Sequence, residues 1–209
     1  MNMKYTYESR KLNFQLVPRS CWYVNLRSVL PNWSEISNKV RKPCICSICG
    51  AEKPITELHA HEVWSYDDVT HEQHLEDLIC VCEDCHNAIH IGHANIEGKG
   101  AIALQYYMKI NGLTKEQADR DYREAFIVWG ERSTHKWSIS ESEIYAKVKE
   151  LTGIDCGINK PINGRYYANV PYDQKDQAKT FGARWDSDRK MWYFMSEEAM
   201  KNWYECEDH

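Results

Sequence analysis

Apolar positions between residues 33 and 40 recur at helical spacing. In "NWSEISNKVRK", Trp33, Ile36 and Val40 share a face, which predicts a short helix capped by Asn32 or Ser34 and stopped by Pro43. Residues 1–32 ahead of it read as loop and short extended pieces. The pattern turns to alternation in "TELHAHEVWSYDD", predicting a strand over residues 58–66 with its turn at "YDD". A second apolar run, "LEDLICVC", completes an antiparallel hairpin whose loop is expected near "VTHEQH". From Glu83 the segment "EDCHNAIHIG" suits a helix, with Gly92 as its stop. "AIALQYYMKI" predicts another helix, ending at "NG". Thr114 then opens a long helix with a capping box to Gln117, and Ala118, Tyr122, Ala125, Phe126 and Trp129 form its apolar face. "SESEIYAKVKELTG" is a further short helix.

Gly, Asn and Pro then cluster in "GIDCGINKPINGR", which marks a boundary. The remainder, "RYYANVPYDQKDQAKTFGARWDSDRKMWYF", reads strand, helix, turn, strand. The expected organisation is an N-terminal arm with a short helix over 1–45, a core with helical extension over 46–152, a linker over 153–163 and a small module over 164–209. The class is α+β in both parts. The 209 residues, with eight Trp and thirteen Tyr, suffice for one ordinary domain and a small one. No apolar run of about 18 residues is present, which argues against a membrane span. The charged N-terminus lacks an apolar signal core, so the cytoplasm is the expected compartment.

Charge sharpens this division. The net charge is −5, yet residues 1–50 carry eight Lys/Arg against two Asp/Glu. Residues 51–100 reverse the balance, with two against eleven, and hold seven of the nine histidines. A basic arm suits phosphate contact, through Arg19, Arg27, Lys39, Arg41 and Lys42. A block of acids and histidines suits metals.

Nine cysteines, six of them between Cys44 and Cys85, in a chain without a secretion signal favour metal binding over disulfides. Cys46 and Cys49 form one CxxC pair; Cys82 and Cys85 form another. Two such pairs can meet at one tetrahedral Zn2+, a closed structural site. Cys44 and Cys80 each lie two residues from a ligand and compete for its place; His86 competes with Cys85. In the first assignment His86 and His90 are left over, four apart on one helix face, where two imidazoles grip a second metal. On the strand, His59 and His61 share a face, while Ala60 and Glu62 share the other. A metal beside a neutral histidine is hydrolytic equipment: the metal stabilises charge on a phosphate and the histidine takes a proton from water.

"LHAHEVW" followed by "LEDLICVCEDCHNAIH" resembles the HNH endonuclease pattern of the ββα-metal class. The flanks "LVPRSCWYVNLRSVLPNWSEI" and "INGLTKEQADRDYREAFIVWGERSTHKW" resemble segments of a group of bacterial and phage HNH proteins, so the likeness covers about residues 15–138. The resemblance implies a zinc-stapled ββα core with flanking helices and a divalent-metal endonuclease acting on DNA, with Mg2+ or another divalent ion as cofactor. It puts His61 at the general base and His86 and His90 at the catalytic metal. Asp77 stands where the family usually has Asn, which binds the metal or holds the base in place, so it is carried over as a catalytic residue. Ala60 stands where the family often has a metal ligand, which His59 or Glu62 could supply instead. These two departures favour an alternative, a zinc-stabilised protein that binds DNA or a protein partner without catalysis, for example in phage–host defence.

Residues 165–194 resemble a small domain of unknown function attached to DNA-processing and mobile-element proteins. Val170, Ala178, Phe181, Ala183, Trp185, Trp192 and Tyr193 are its expected core. Arg165, Lys175, Lys179, Arg184, Arg189 and Lys190 make a basic surface suited to single-stranded nucleic acid, with Lys179 and Arg184 the favoured contacts. A protein partner is the other use for this module. Oligomeric state has no signature in the sequence.

Overall fold

The computed structural model describes residues 5–21, 26–30, 32–156, 164–168, 170–189 and 191–207. Lys190, residues 22–25 of the arm and residues 157–163 of the expected linker lie outside the described residues. The fold is α+β, in two compact units. The first comprises Met1–Tyr23 and Ser37–Lys147; the second comprises Val24–Ile36 and Val148–His209.

The chain passes through α1 (Leu26–Val29) and α2 (Trp33–Arg41) before the strands β1 (Leu58–Asp67) and β2 (Glu72–Cys82). These pair antiparallel, with Leu58 opposite Cys82 and His61 opposite Ile79. The register shifts between Val63 and Trp64, where Val63 faces Asp77 and Trp64 faces Leu75, leaving Glu76 as the extra residue of a bulge. β2 starts earlier than the expected loop at "VTHEQH" allows. The reason is tertiary: the Gln73 N–H bonds the Ser138 carbonyl at 2.9 Å, and the Ser138 N–H bonds the His71 carbonyl at 2.9 Å. A distant segment thus extends the ladder.

The helices α3 (Glu83–Ile89), α4 (Ile91–Ile96), α5 (Gly100–Asn111) and α6 (Lys115–Arg132) follow. The expected single helix to Gly92 is instead two, divided at His90, whose ψ of 46° is not helical. Gly92 does not stop a helix; it lies inside α4, where an added Cβ would meet Leu16 Cδ2 at 3.2 Å. Its lack of a side chain serves close approach. The "NG" stop holds, with Gly112 left-handed at φ 61°. So does the Thr114–Gln117 capping box, worth about 1 kcal/mol.

Residues 5–21 pack as a strap rather than hang as an arm. Leu12 and Phe14 are buried, and Phe14 stacks on Tyr107 of α5 with centroids 4.0 Å apart. Asn111 holds the strap by both backbone groups of Leu12, at 3.1 and 2.8 Å. Arg10 pairs with buried Asp121 of α6 at 2.7 Å, and the Tyr107 hydroxyl donates to the same carboxylate at 2.8 Å. A lone buried carboxylate would be costly; paired with Arg10 and Tyr107 it pins strap to helices.

α7 (Glu141–Thr152) leads to the C-terminal part. There β3 (Tyr166–Ala168), α8 (Lys175–Thr180), β4 (Arg184–Asp186), β5 (Met191–Phe194) and α9 (Glu197–Glu207) make a sheet of order β3-β5-β4 with two helices. The strand–helix–turn–strand expectation thus misses one strand and α9. Val170, Ala178 and Ala183 are buried as expected, joined by Phe194, Met200 and Trp203. Trp185, expected in the core, is 51% exposed; it sits at the sheet edge and touches Trp192 at 5.4 Å. Among the described residues no helix is long and apolar enough to cross a membrane.

Candidate functional site

Among the described residues, the metal-capable side chains form two groups, and α3 contributes to both. Cys46, Cys49, Cys82 and Cys85 bring four sulfurs within 4.8 Å of one another. Cys46 and Cys85 sulfurs are 3.6 Å apart, and those of Cys49 and Cys82 are 3.7 Å apart. A tetrahedron with metal–sulfur bonds of about 2.3 Å needs sulfurs roughly 3.8 Å apart. The thiols therefore fit one Zn2+ and are too far apart for disulfides. Cys44 and Cys80, the alternative ligands, stand outside this group, and His86 belongs to the other one.

Local backbone explains the cluster. Gly50, at φ 76°, closes the "CICSICG" knuckle, with its N–H on the Cys46 carbonyl at 2.9 Å. The Ser47 N–H bonds the Cys80 carbonyl at 2.8 Å and docks the knuckle on β2. Cys82 is the N-cap residue of α3 and Cys85 lies in its first turn. Burial pushes the Cys49 thiol up, but hydrogen bonds led by the Tyr106 hydroxyl outweigh it and bring it down to about 7. Burial, then the Cys46 and Cys82 sulfurs, push Cys85 up. Sulfurs that oppose one another's ionisation are accommodated together once a cation sits among them.

His61, His86 and His90 form the second group, with ring nitrogens within 4.8 Å of one another. His61 comes from β1 and is 2% exposed. The break at His90 keeps one helical turn, the His90 N–H bonding the His86 carbonyl at 3.0 Å, so both rings still reach one side. The His61 ring lies 5.5 Å from His86 and 4.8 Å from His90, and the two helix rings are 4.7 Å apart. His59 is exposed and stacks flat on His86 at 4.6 Å, without joining the trio. Glu62 pairs with Leu78, one register position on from His61, so alternation sends it to the other face. Asp77 is exposed beside the bulge, and its carboxylate accepts the N–H of Leu78 at 2.7 Å.

Burial, then His90, His86 and His59, holds His61 well below the usual imidazole range. Burial, ahead of neighbouring histidines, brings His86 down to about 3 and His90 to about 4. All three rings are neutral at pH 7, the form that binds metals and accepts protons. His61 Nε2 meets the Gln15 side-chain oxygen at 3.2 Å, while buried Nδ1 has no partner among the described residues. Gln15 carries no motif that would single it out in the sequence.

Of the basic candidates, Arg19, Lys39 and Lys42 are exposed in the first unit, as are Arg27, Lys179 and Arg184 in the second. Arg41 is occupied: its guanidinium donates to the carbonyls of Ser37, Ile55 and Leu58. Lys179 pairs with Asp176 at 2.7 Å.

Residues 165–204 match a domain of unknown function, DUF5710. The match takes in the stretch singled out at 165–194 and runs on into α9. Over 29 residues the chain is 59% identical to the DNA primase TraC of Escherichia coli, covering 14% of this chain and 2% of that protein. Over 109 residues it is 26% identical to the Zorya protein ZorE of Escherichia coli, covering 50% of this chain and 29% of that protein. The chain thus spans less than a third of the length of either relative. No solved structure matches it.

Proposed function

We propose that this protein is a divalent-metal-dependent endonuclease of the HNH type that hydrolyses DNA phosphodiester bonds. The observation that carries this reading is the meeting of His61 with His86 and His90 beside the four-thiol group. A divalent ion held by His86 and His90 would supply positive charge to the scissile phosphate and the leaving oxygen. His61, neutral through burial, takes the proton of the attacking water. The four cysteines, holding Zn2+, fix the hairpin against α3 so that strand and helix histidines keep their spacing. Arg19, Arg27, Lys39, Lys42, Lys179 and Arg184 are the backbone contacts, with Arg41 bracing α2 instead. The short identity with a DNA primase supports DNA as the polymer. Two neutral imidazoles suit Ni2+ or Zn2+ better than Mg2+.

The test is nicking of supercoiled plasmid by the purified chain with Mg2+, Mn2+ or Ni2+, beside His61→Ala. Metal-dependent nicking that disappears in the variant is the expected result; no cutting with any of these ions defeats the proposal. A second reading, a zinc-stabilised protein that binds DNA or a partner without catalysis, draws on Asp77 and Ala60. Asp77 faces solvent outside the histidine trio, and Ala60 offers no ligand. Plasmid retention on a gel without cutting would favour it.

A further inference from the structure

We infer that Gln15 is the positioning residue of the histidine site and that it sets which nitrogen of His61 carries the proton. A chain of side-chain amides leads to this. The Glu8 backbone carbonyl can only accept, and the Asn13 side-chain Nδ2 donates to it at 3.5 Å. That orients Asn13, whose Oδ1 then accepts from Gln15 Nε2 at 3.1 Å. Gln15 is oriented in turn, with Oε1 toward His61 Nε2 at 3.2 Å. An amide oxygen has no proton to give, so His61 Nε2 is the donor. A neutral imidazole carries one N–H, so Nδ1 keeps its lone pair. That nitrogen is the one left buried without a partner among the described residues.

The backbone of the same residue reaches the helix side. The Gln15 N–H bonds the carbonyl of Ile89 at 2.9 Å, and the His90 ring hydrogen-bonds the Gln15 backbone. One strap residue therefore holds a ring from β1 and a ring from the α3–α4 break. The reading of Nδ1 as the base rests on the proposed function; the tautomer itself does not. A base held in the wrong tautomer presents N–H to the water it should deprotonate.

Nitrogen-15 histidine spectra of the full, zinc-loaded chain at pH 8 test this without any turnover. In wild type and in Gln15→Glu, which keeps an acceptor, His61 is expected with Nε2 protonated and Nδ1 bare. Gln15→Leu is expected to give a mixture of tautomers, and Asn13→Leu, which frees the Gln15 amide to turn, a smaller shift the same way. Nδ1–H in the wild type, or a Gln15→Leu spectrum unchanged at His61, overturns the inference. In the nicking assay, Gln15→Leu should lower kcat about 10- to 100-fold with KM for DNA unchanged, and Gln15→Glu should recover most of it. If the wild type cuts nothing, the proposed function falls while the spectra still decide the tautomer.

Discussion

The thiol group and the histidine group flank the same short helix, yet they are built on opposite plans. The four sulfurs come from two local CxxC turns, sit at distances a tetrahedral ion demands, and leave no open position. The three imidazoles come from a strand, a helix and the break that ends it, and two of them lean on the strap. Four protein ligands make a closed structural site; fewer leave room for water or substrate. The difference teaches that one short helix can carry thiols placed for a closed metal site in its first turn and imidazoles placed for an open one from its middle onward.

Breaking the thiol side should have the largest effect. Cys82→Ser, or exhaustive chelation, is expected to remove zinc and the fold together, read by metal analysis and circular dichroism. A structural zinc is worth on the order of 10 kcal/mol to a small fold. On the histidine side, His61→Ala should lower nicking about 10²- to 10⁴-fold while zinc content and melting stay near wild type. His86→Ala should raise the divalent-ion concentration needed for half-maximal nicking, again with zinc retained, so the two groups separate in one experiment.

Acid sharpens the comparison next. The folded values of His61, His86 and His90 are depressed, so below about pH 6.5 the unfolded chain binds protons that the folded one refuses. Stability without the histidine-bound metal is therefore whole above about pH 6.5 and is lost as pH falls toward 4 and 3. Each such histidine contributes a slope of at most about 1.4 kcal/mol per pH unit. Denaturant titrations between pH 7 and 5 should show this slope, flattened in His86→Leu. The smallest effect belongs to Asp77→Asn: an exposed position outside the trio should move stability by no more than about 0.5 kcal/mol. A large gain in nicking from that change would place Asp77 in the site after all.

The cysteine pairs, the i, i+4 histidines and the parity of His59 with His61 were legible because each depends on spacing within a few residues. The capping box and the αL glycine at 112 were legible for the same reason. What escaped depends on distant chain. The start of β2 is set by Ser138, the role of Gly92 by Leu16, and the environment of His61 by Gln15. Trp185 illustrates the limit of composition: a large apolar residue reads as core, but β4 is an edge strand and leaves it half exposed. The break at His90 has no proline behind it; the strap stands there instead, with the Gln15 N–H taking the Ile89 carbonyl at 2.9 Å.

The strap has a practical consequence for anyone trimming this chain. A fragment beginning at the CxxC knuckle would keep every thiol and every imidazole named above and would look complete on paper. It would also lose Leu12 and Phe14 from the core and the amide that faces His61. Such a fragment should still take up zinc while its histidines wander, a protein with all its ligands and no address for them.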